Sequence, residues 1–150
     1  MLTIRQGRPS DIPAIAEFNR RLALETEHRV LEEATLVAGV AAVLSDPNRG
    51  QYYVAELHGK LVGQLLITTE WSDWRNGWFW WIQSVYVHAE ARRQGVFSAL
   101  YQHVREQALQ AGNVVGLRLY VERENKTAQQ TYQRLGFKDV GYLLLERGPL

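Results

Sequence analysis

Cysteine is absent from this chain of 150 residues. Disulfide staples, thiolate nucleophiles and cysteine-ligated metal sites are therefore excluded. An excess of either charge is lacking too, since 17 basic side chains face 16 acidic ones for a net charge of +1. A nucleic-acid-binding domain usually carries a basic surplus, so nucleic acid is not an expected partner, although a local basic patch stays open. Long apolar runs are missing as well. The longest, residues 36–44, is far too short to span a bilayer. The N-terminal MLTIRQGRPSD has neither an apolar core nor a cleavage site. The expectation is a cytoplasmic protein with no membrane role. The four histidines, His28, His58, His88 and His103, show no ligand spacing, so no metal is expected.

What is present fits one soluble globular domain over residues 1–150, with 46% hydrophobic and 22% charged side chains. Residues 2–6 read as a short strand. Ser10 can cap a helix that admits Pro13 in its first turn and carries Ile12, Ile15, Ala16, Asn19, Leu22 and Ala23 at helical spacing, fading near Glu27. A second helix around residues 36–44 stops at Ser45-Asp46-Pro47. Strands at 51–57 and 61–70 flank the turn His58-Gly59-Lys60, and a long aromatic strand at 78–87 follows a polar turn. Val96, Leu100, Val104, Ala108 and Ala111 make a helix stripe closed by Gly112. A strand at 115–121, a helix at 125–135 and strands at 137–139 and 142–146 complete the order. Strands 78–87 and 115–121 are joined through a helix and should run parallel. The expected fold is α/β (α+β): a mixed, mostly antiparallel central sheet of about seven strands with helices on both faces.

The segment VYVHAEARRQGVFSAL, residues 85–100, carries the first chemical signal. A strand end, a basic turn and a helix start present unpaired N–H groups to an anion. Arg92 and Arg93 add charge, and Gly95 offers no side chain to block a phosphate. The turn suggests a phosphate-bearing cofactor; taken alone, it is also an ordinary helix start with solvated arginines. It is not a P-loop, because no Gly-Lys-Ser/Thr follows. The second signal is Asn125, Ala128 and Tyr132, which share one helix face ahead of Gly136-Phe137. The phenol can pack as core or donate a proton, and Asn125 suits a helix N-cap.

Together these two segments resemble the GNAT superfamily of acetyl-CoA-dependent N-acetyltransferases. The family's Q/R-x-x-G-x-G/A stands here as Arg92-Arg93-Gln94-Gly95-Val96-Phe97, and its N-x-x-A-x-x-x-Y-x-x-x-G-F is filled by Asn125, Ala128, Tyr132, Gly136 and Phe137. The order of elements is similar across essentially the whole chain. One position departs: Phe97 replaces a small residue, and its side chain must point away from the cofactor. The resemblance implies direct acetyl transfer from acetyl-CoA to a primary amine, with the strands 78–87 and 115–121 splayed to admit the pantetheine arm. Val85, Tyr86 and Val87 would line that arm and pair with it as an added strand does. The amides from Arg93 or Gln94 to Ser98 would hold the pyrophosphate, Asn125 would bond the pantetheine, and Tyr132 would protonate the departing thiolate.

The resemblance also places the acceptor beside the loop after the first helix. Glu25, Glu27, Trp71, Asp73, Trp74, Trp81 and Gln83 could then line a pocket for a small cationic amine, since carboxylates and aromatic faces both favour ammonium. Glu70 is the candidate general base, directly or through water. The same tryptophans would equally serve as core or as a homodimer surface. A peptide or protein acceptor, and a non-catalytic acyl-CoA-binding domain on the same fold, remain the alternatives.

Overall fold

A computed structural model describes residues 1–150. The chain divides into two compact units, residues 1–120 and residues 121–150. The first holds a five-stranded sheet in the order β1 (Leu2–Gln6), β2 (Gln51–Leu57), β3 (Lys60–Ser72), β4 (Gly77–Val87) and β5 (Val114–Leu119). Neighbours are antiparallel except β4 and β5, which run parallel. The expected mixed sheet is therefore present with five strands, not about seven. Residues 137–139 and 142–146 form no strand, and Tyr142, Leu143, Leu144 and Leu145 are exposed. An apolar run becomes a strand only where a neighbour accepts its ladder of hydrogen bonds, and the second unit contains no strand at all.

Alternation along β2 assigns the two faces of the sheet. Tyr52 and Val54 join Leu66 and the apolar stripe of α1 (Ile12–Glu27) and α2 (Glu33–Ser45), through Ile15 and Val40. Tyr53 turns to the other face, where its ring meets His103 of α3 (Val96–Ala111) at 5.3 Å. Gly63 lies under α3 so closely that a Cβ would come within 2.8 Å of Val96. Helices thus cover both faces. The expected Ser10 cap is not made. Residues 9–11 form a 3-10 turn instead, and Asp11 takes the N-cap position of α1. Asp11 is buried, and its carboxylate accepts two N–H groups of Arg5 at 2.8 and 3.0 Å and the Arg8 amide at 2.8 Å.

One irregularity shapes the site. Gln64 faces Tyr86 and Leu66 faces Gln83, so Leu65 alone stands opposite Ser84 and Val85. This bulge puts Ser84 in the left-handed region at φ 51°. Gln64, fully buried, holds it: Nε2 donates to the Ser84 carbonyl at 3.0 Å and to Asn19 Oδ1 at 2.8 Å. Asn19 passes the chain on, donating to the Tyr52 hydroxyl at 3.2 Å. Gln64 Oε1 receives no donor. With the bulge in place, Trp81, Gln83 and Tyr86 all end on the face of Leu66.

Gln64→Ala strands the Asn19 and Ser84 acceptors in the interior and should cost about 2–3 kcal/mol in urea unfolding. Arg5 holds the Asp11 carboxyl below its usual range, chiefly by hydrogen bonding, against the opposing effect of burial. With the folded value below the unfolded one, this contribution is complete above about pH 4 and lost as pH falls through the folded value. Asp11→Asn should therefore flatten the acid limb of a stability–pH curve; an unchanged limb would contradict the pair.

Candidate active site

Parallel pairing between β4 and β5 stops at Ile82–Leu119. β4 continues for residues 83–87 with β3 on one side only. The His88 amide bonds the Val62 carbonyl, toward β3. By alternation the polar groups of Val87 and Val85 face the free edge. An extended amide-bearing chain can pair there as a strand would. The Val87 carbonyl already accepts Arg92 Nε at 2.9 Å.

Past β4 the chain makes a 3-10 turn over Ala89–Ala91 and enters α3 through two left-handed residues, Arg93 at φ 65° and Gly95 at φ 78°. The first intrahelical bond runs from the Ala99 amide to the Gly95 carbonyl. The Val96, Phe97 and Ser98 amides therefore have no helical acceptor. The Phe97 ring lies 6.3 Å from that of Tyr101, one turn on along α3. This cradle of amides suits a diphosphate, because the helix dipole adds to the N–H groups. Gln94 bonds the Glu90 carbonyl at 3.1 Å.

Arg92 is already engaged. Its Nη2 meets Glu25 at 2.6 Å, and its guanidinium lies 5.4 Å from the Tyr86 ring centroid. Glu25 also accepts the Tyr86 hydroxyl at 2.5 Å, and these two donors hold its carboxyl below the usual range. Glu25, expected as an acceptor ligand, is thus a latch between the end of α1 and the turn. Arg92 and Arg93 are both exposed, but only Arg92 is ion-paired.

A second cluster occupies the same face where β3, β4 and β5 run on beyond β2, whose last partner on β3 is Ile67. Glu70 Oε1 accepts Trp81 Nε1 at 3.1 Å and Arg118 Nη1 at 2.9 Å. Arg118 lies flat over Phe79, 3.6 Å from the ring centroid, and Trp81 stacks on Tyr120 at 4.5 Å. Gly116 makes this possible, because a Cβ there would come within 2.8 Å of the Phe79 ring. Gln83 donates to Thr68 on the same face. Trp71 is not part of the cluster: it follows Glu70, points to the opposite face and packs edge-on against Trp78. Trp74 is 85% exposed in the β3–β4 turn, and Asp73 and Glu27 are exposed as well. The expected acceptor residues are thus only partly gathered. Arg118, Tyr120 and Phe79 were missed, although a lone charge in the apolar alternation of β5 was a visible signal.

The second unit is built around α4 (Lys126–Arg134). Asn125 is its N-cap, with Oδ1 accepting the Ala128 amide at 3.2 Å, which leaves Nδ2 as a donor. Gly136, at φ 96°, lets the Phe137 amide return to the Tyr132 carbonyl at 3.0 Å, and the two rings meet at 6.0 Å. Burial raises the Tyr132 phenol above its ordinary value.

Residues 14–137 match the family described as acetyltransferase (GNAT). The chain is 31% identical to thialysine N-epsilon-acetyltransferase of Bos taurus, over 91% of this chain and 84% of that protein. It is 30% identical to an uncharacterized N-acetyltransferase of Methanocaldococcus jannaschii, over 92% of this chain and 79% of the other. The crystal structure of a possible acetyltransferase from Clostridium difficile 630 superposes with a TM-score of 0.93 at 43% identity, covering 100% of this chain and 99% of that one.

The Glu25–Arg92 latch is exposed enough for solvent to screen it. A double-mutant cycle of Glu25→Gln and Arg92→Gln, read by urea unfolding, should give a coupling of about 0.5–1 kcal/mol. Strict additivity would show that the two side chains do not meet in solution.

Proposed function

Because the chain belongs to the GNAT acetyltransferase family, and so is an acetyl-CoA-dependent N-acetyltransferase, we propose that its acceptor is a small primary amine, acetylated directly. The acetyl donor is read from the free edge of β4 at residues 83–87 ending in the amide cradle of α3, and the observation that carries the acceptor reading is the cluster of Glu70 with Trp81 stacked on Tyr120. A strand edge followed by helix amides that have no helical acceptor suits an arm of amides that ends in a diphosphate. Acetyl-CoA, when bound, supplies a thioester whose acyl carbon passes to the amine nitrogen while the thiolate departs.

The chain's own groups then divide the work. The Val96, Phe97 and Ser98 amides and Arg93 hold the phosphates, and the outward groups of Val85 and Val87 orient the arm. Asn125 Nδ2 is left free by its cap to donate to the pantetheine. An amine arrives at neutral pH mostly as ammonium and must lose a proton before attack. Glu70 accepts both of its protein donors on Oε1, so Oε2 is open to that proton, directly or through a water. Tyr132 stays protonated at neutral pH, since burial lifts its phenol, and this suits it to protonate the thiolate. The aromatic wall of Trp81, Tyr120 and Phe79 supports a small acceptor, because flat rings pack against the stem of an amine.

Tyr132→Phe should leave acetyl-CoA affinity within about twofold by calorimetry and lower kcat about 10- to 100-fold in a CoA-release assay, the range of a lost general acid. Unchanged kcat would remove Tyr132 from the proton transfer. Since the chain has no cysteine, a thiol reagent reports only released CoA.

A further inference from the structure

We propose that Arg118 is a specificity residue that binds a carboxylate on the acceptor, so that the preferred substrate is an amine of the amino-acid class and not a polyamine. The inference rests on the acetyl-transfer reading above and deepens it.

A guanidinium carries five N–H donors in a planar fork. Arg118 uses one of its nitrogens, Nη1, on Glu70 Oε1, and neither Nε nor Nη2 has a protein acceptor. A purely structural pair would gain from a two-pronged contact, but here the fork is left largely unfilled. The side chain is also held in place. It lies 3.6 Å over Phe79, whose ring packs so closely on Gly116 that a Cβ there would come within 2.8 Å, and its side chain is 25% exposed. A half-buried, immobilised fork with vacant donors is preorganised for a carboxylate. Arg118 also stands one residue before Leu119, where β5 leaves β4 and the free edge begins.

The charge balance points the same way. Arg75 lies 5.1 Å from the Phe79 ring centroid, so two arginines and one carboxylate surround this ring. A polycation would meet like charge and would have to displace Arg118 from Glu70. An amine that carries its own carboxylate meets complementary groups instead: the open Nε–Nη2 edge of Arg118 for its anion and the vacant Oε2 of Glu70 for its ammonium.

Three matched sets of acceptors test the assignment: free amino acids, their carboxamides, and the same amines without the carboxyl carbon. With the wild-type enzyme, CoA release should give a kcat/KM at least tenfold higher for the acid, mainly through KM. In Arg118→Gln the ratio of acid to carboxamide should fall to near one, and Arg118→Lys, which keeps charge but loses the fork, should fall between. A wild-type ratio of one or below, or a ratio that survives in Arg118→Gln, would overturn the proposal. Calorimetry of each acid and its carboxamide with the CoA-loaded wild type separates the two claims and needs no variant. Tighter binding of the acid without CoA release from any amine would sink the acetyl-transfer reading and keep Arg118. CoA release with no acid preference in rate or binding would do the reverse.

Discussion

The bulge at Ser84 is the constraint on which the site depends. A serine in the left-handed region costs of order 1 kcal/mol, and the fully buried Gln64 carboxamide offsets it by donating to the Ser84 carbonyl. With one extra residue there, β4 keeps Gln83 and Tyr86 on one face although they are three apart. Tyr86 then reaches Glu25 at the end of α1, and Glu25 reaches Arg92 in the turn. β5 follows β4 only as far as Ile82, just before the bulge. The strand therefore changes function along its length: its first half is sheet interior and its second half is a free edge.

On the proposed reading, backbone groups do most of the cofactor recognition. Arg92 spends its charge on Glu25 and its Nε on Val87, so it shapes the turn. On that reading the anion falls to the amides of α3 and to Arg93. A site of this kind would tolerate Phe97, because it asks only for the backbone amide, and the ring lies beside that of Tyr101. The proposed acceptor recognition is different in kind. It rests on side chains of the β3–β4–β5 extension, where Glu70, Trp81 and Arg118 brace one another. One end of the site is therefore set by the path of the chain, and the other by side chains that substitution can change without altering the fold.

Most of the elements were legible in the sequence because each has a local cause. The stripe from Val96 to Ala108 ended by Gly112 gives α3, the turn His58-Gly59 joins β2 to β3, and Asn125 caps α4. What was not legible depends on partners distant in the chain. A strand cannot be read from residues 142–146 alone, since its ladder must come from elsewhere. The bulge depends on Gln64, twenty residues before Ser84, and it decides on which face Trp81 and Gln83 lie. The tryptophans read as one group because they share a segment, yet alternation sends Trp71 and Trp81 to opposite faces. The sequence shows Arg118 only as a lone charge in an apolar strand, since its partners Phe79 and Glu70 stand on neighbouring strands.

The central claim is that acetyl-CoA lies along the free edge of β4 and ends on the first amides of α3. An acetyl-CoA titration of the nitrogen-15-labelled protein, followed by amide chemical shifts and hydrogen exchange, addresses it directly. The account predicts that the largest shifts and new protection fall on Val85, Val87, Val96, Phe97 and Ser98, with β1 and β2 unaffected. Saturable binding that leaves those five amides unmoved would contradict it.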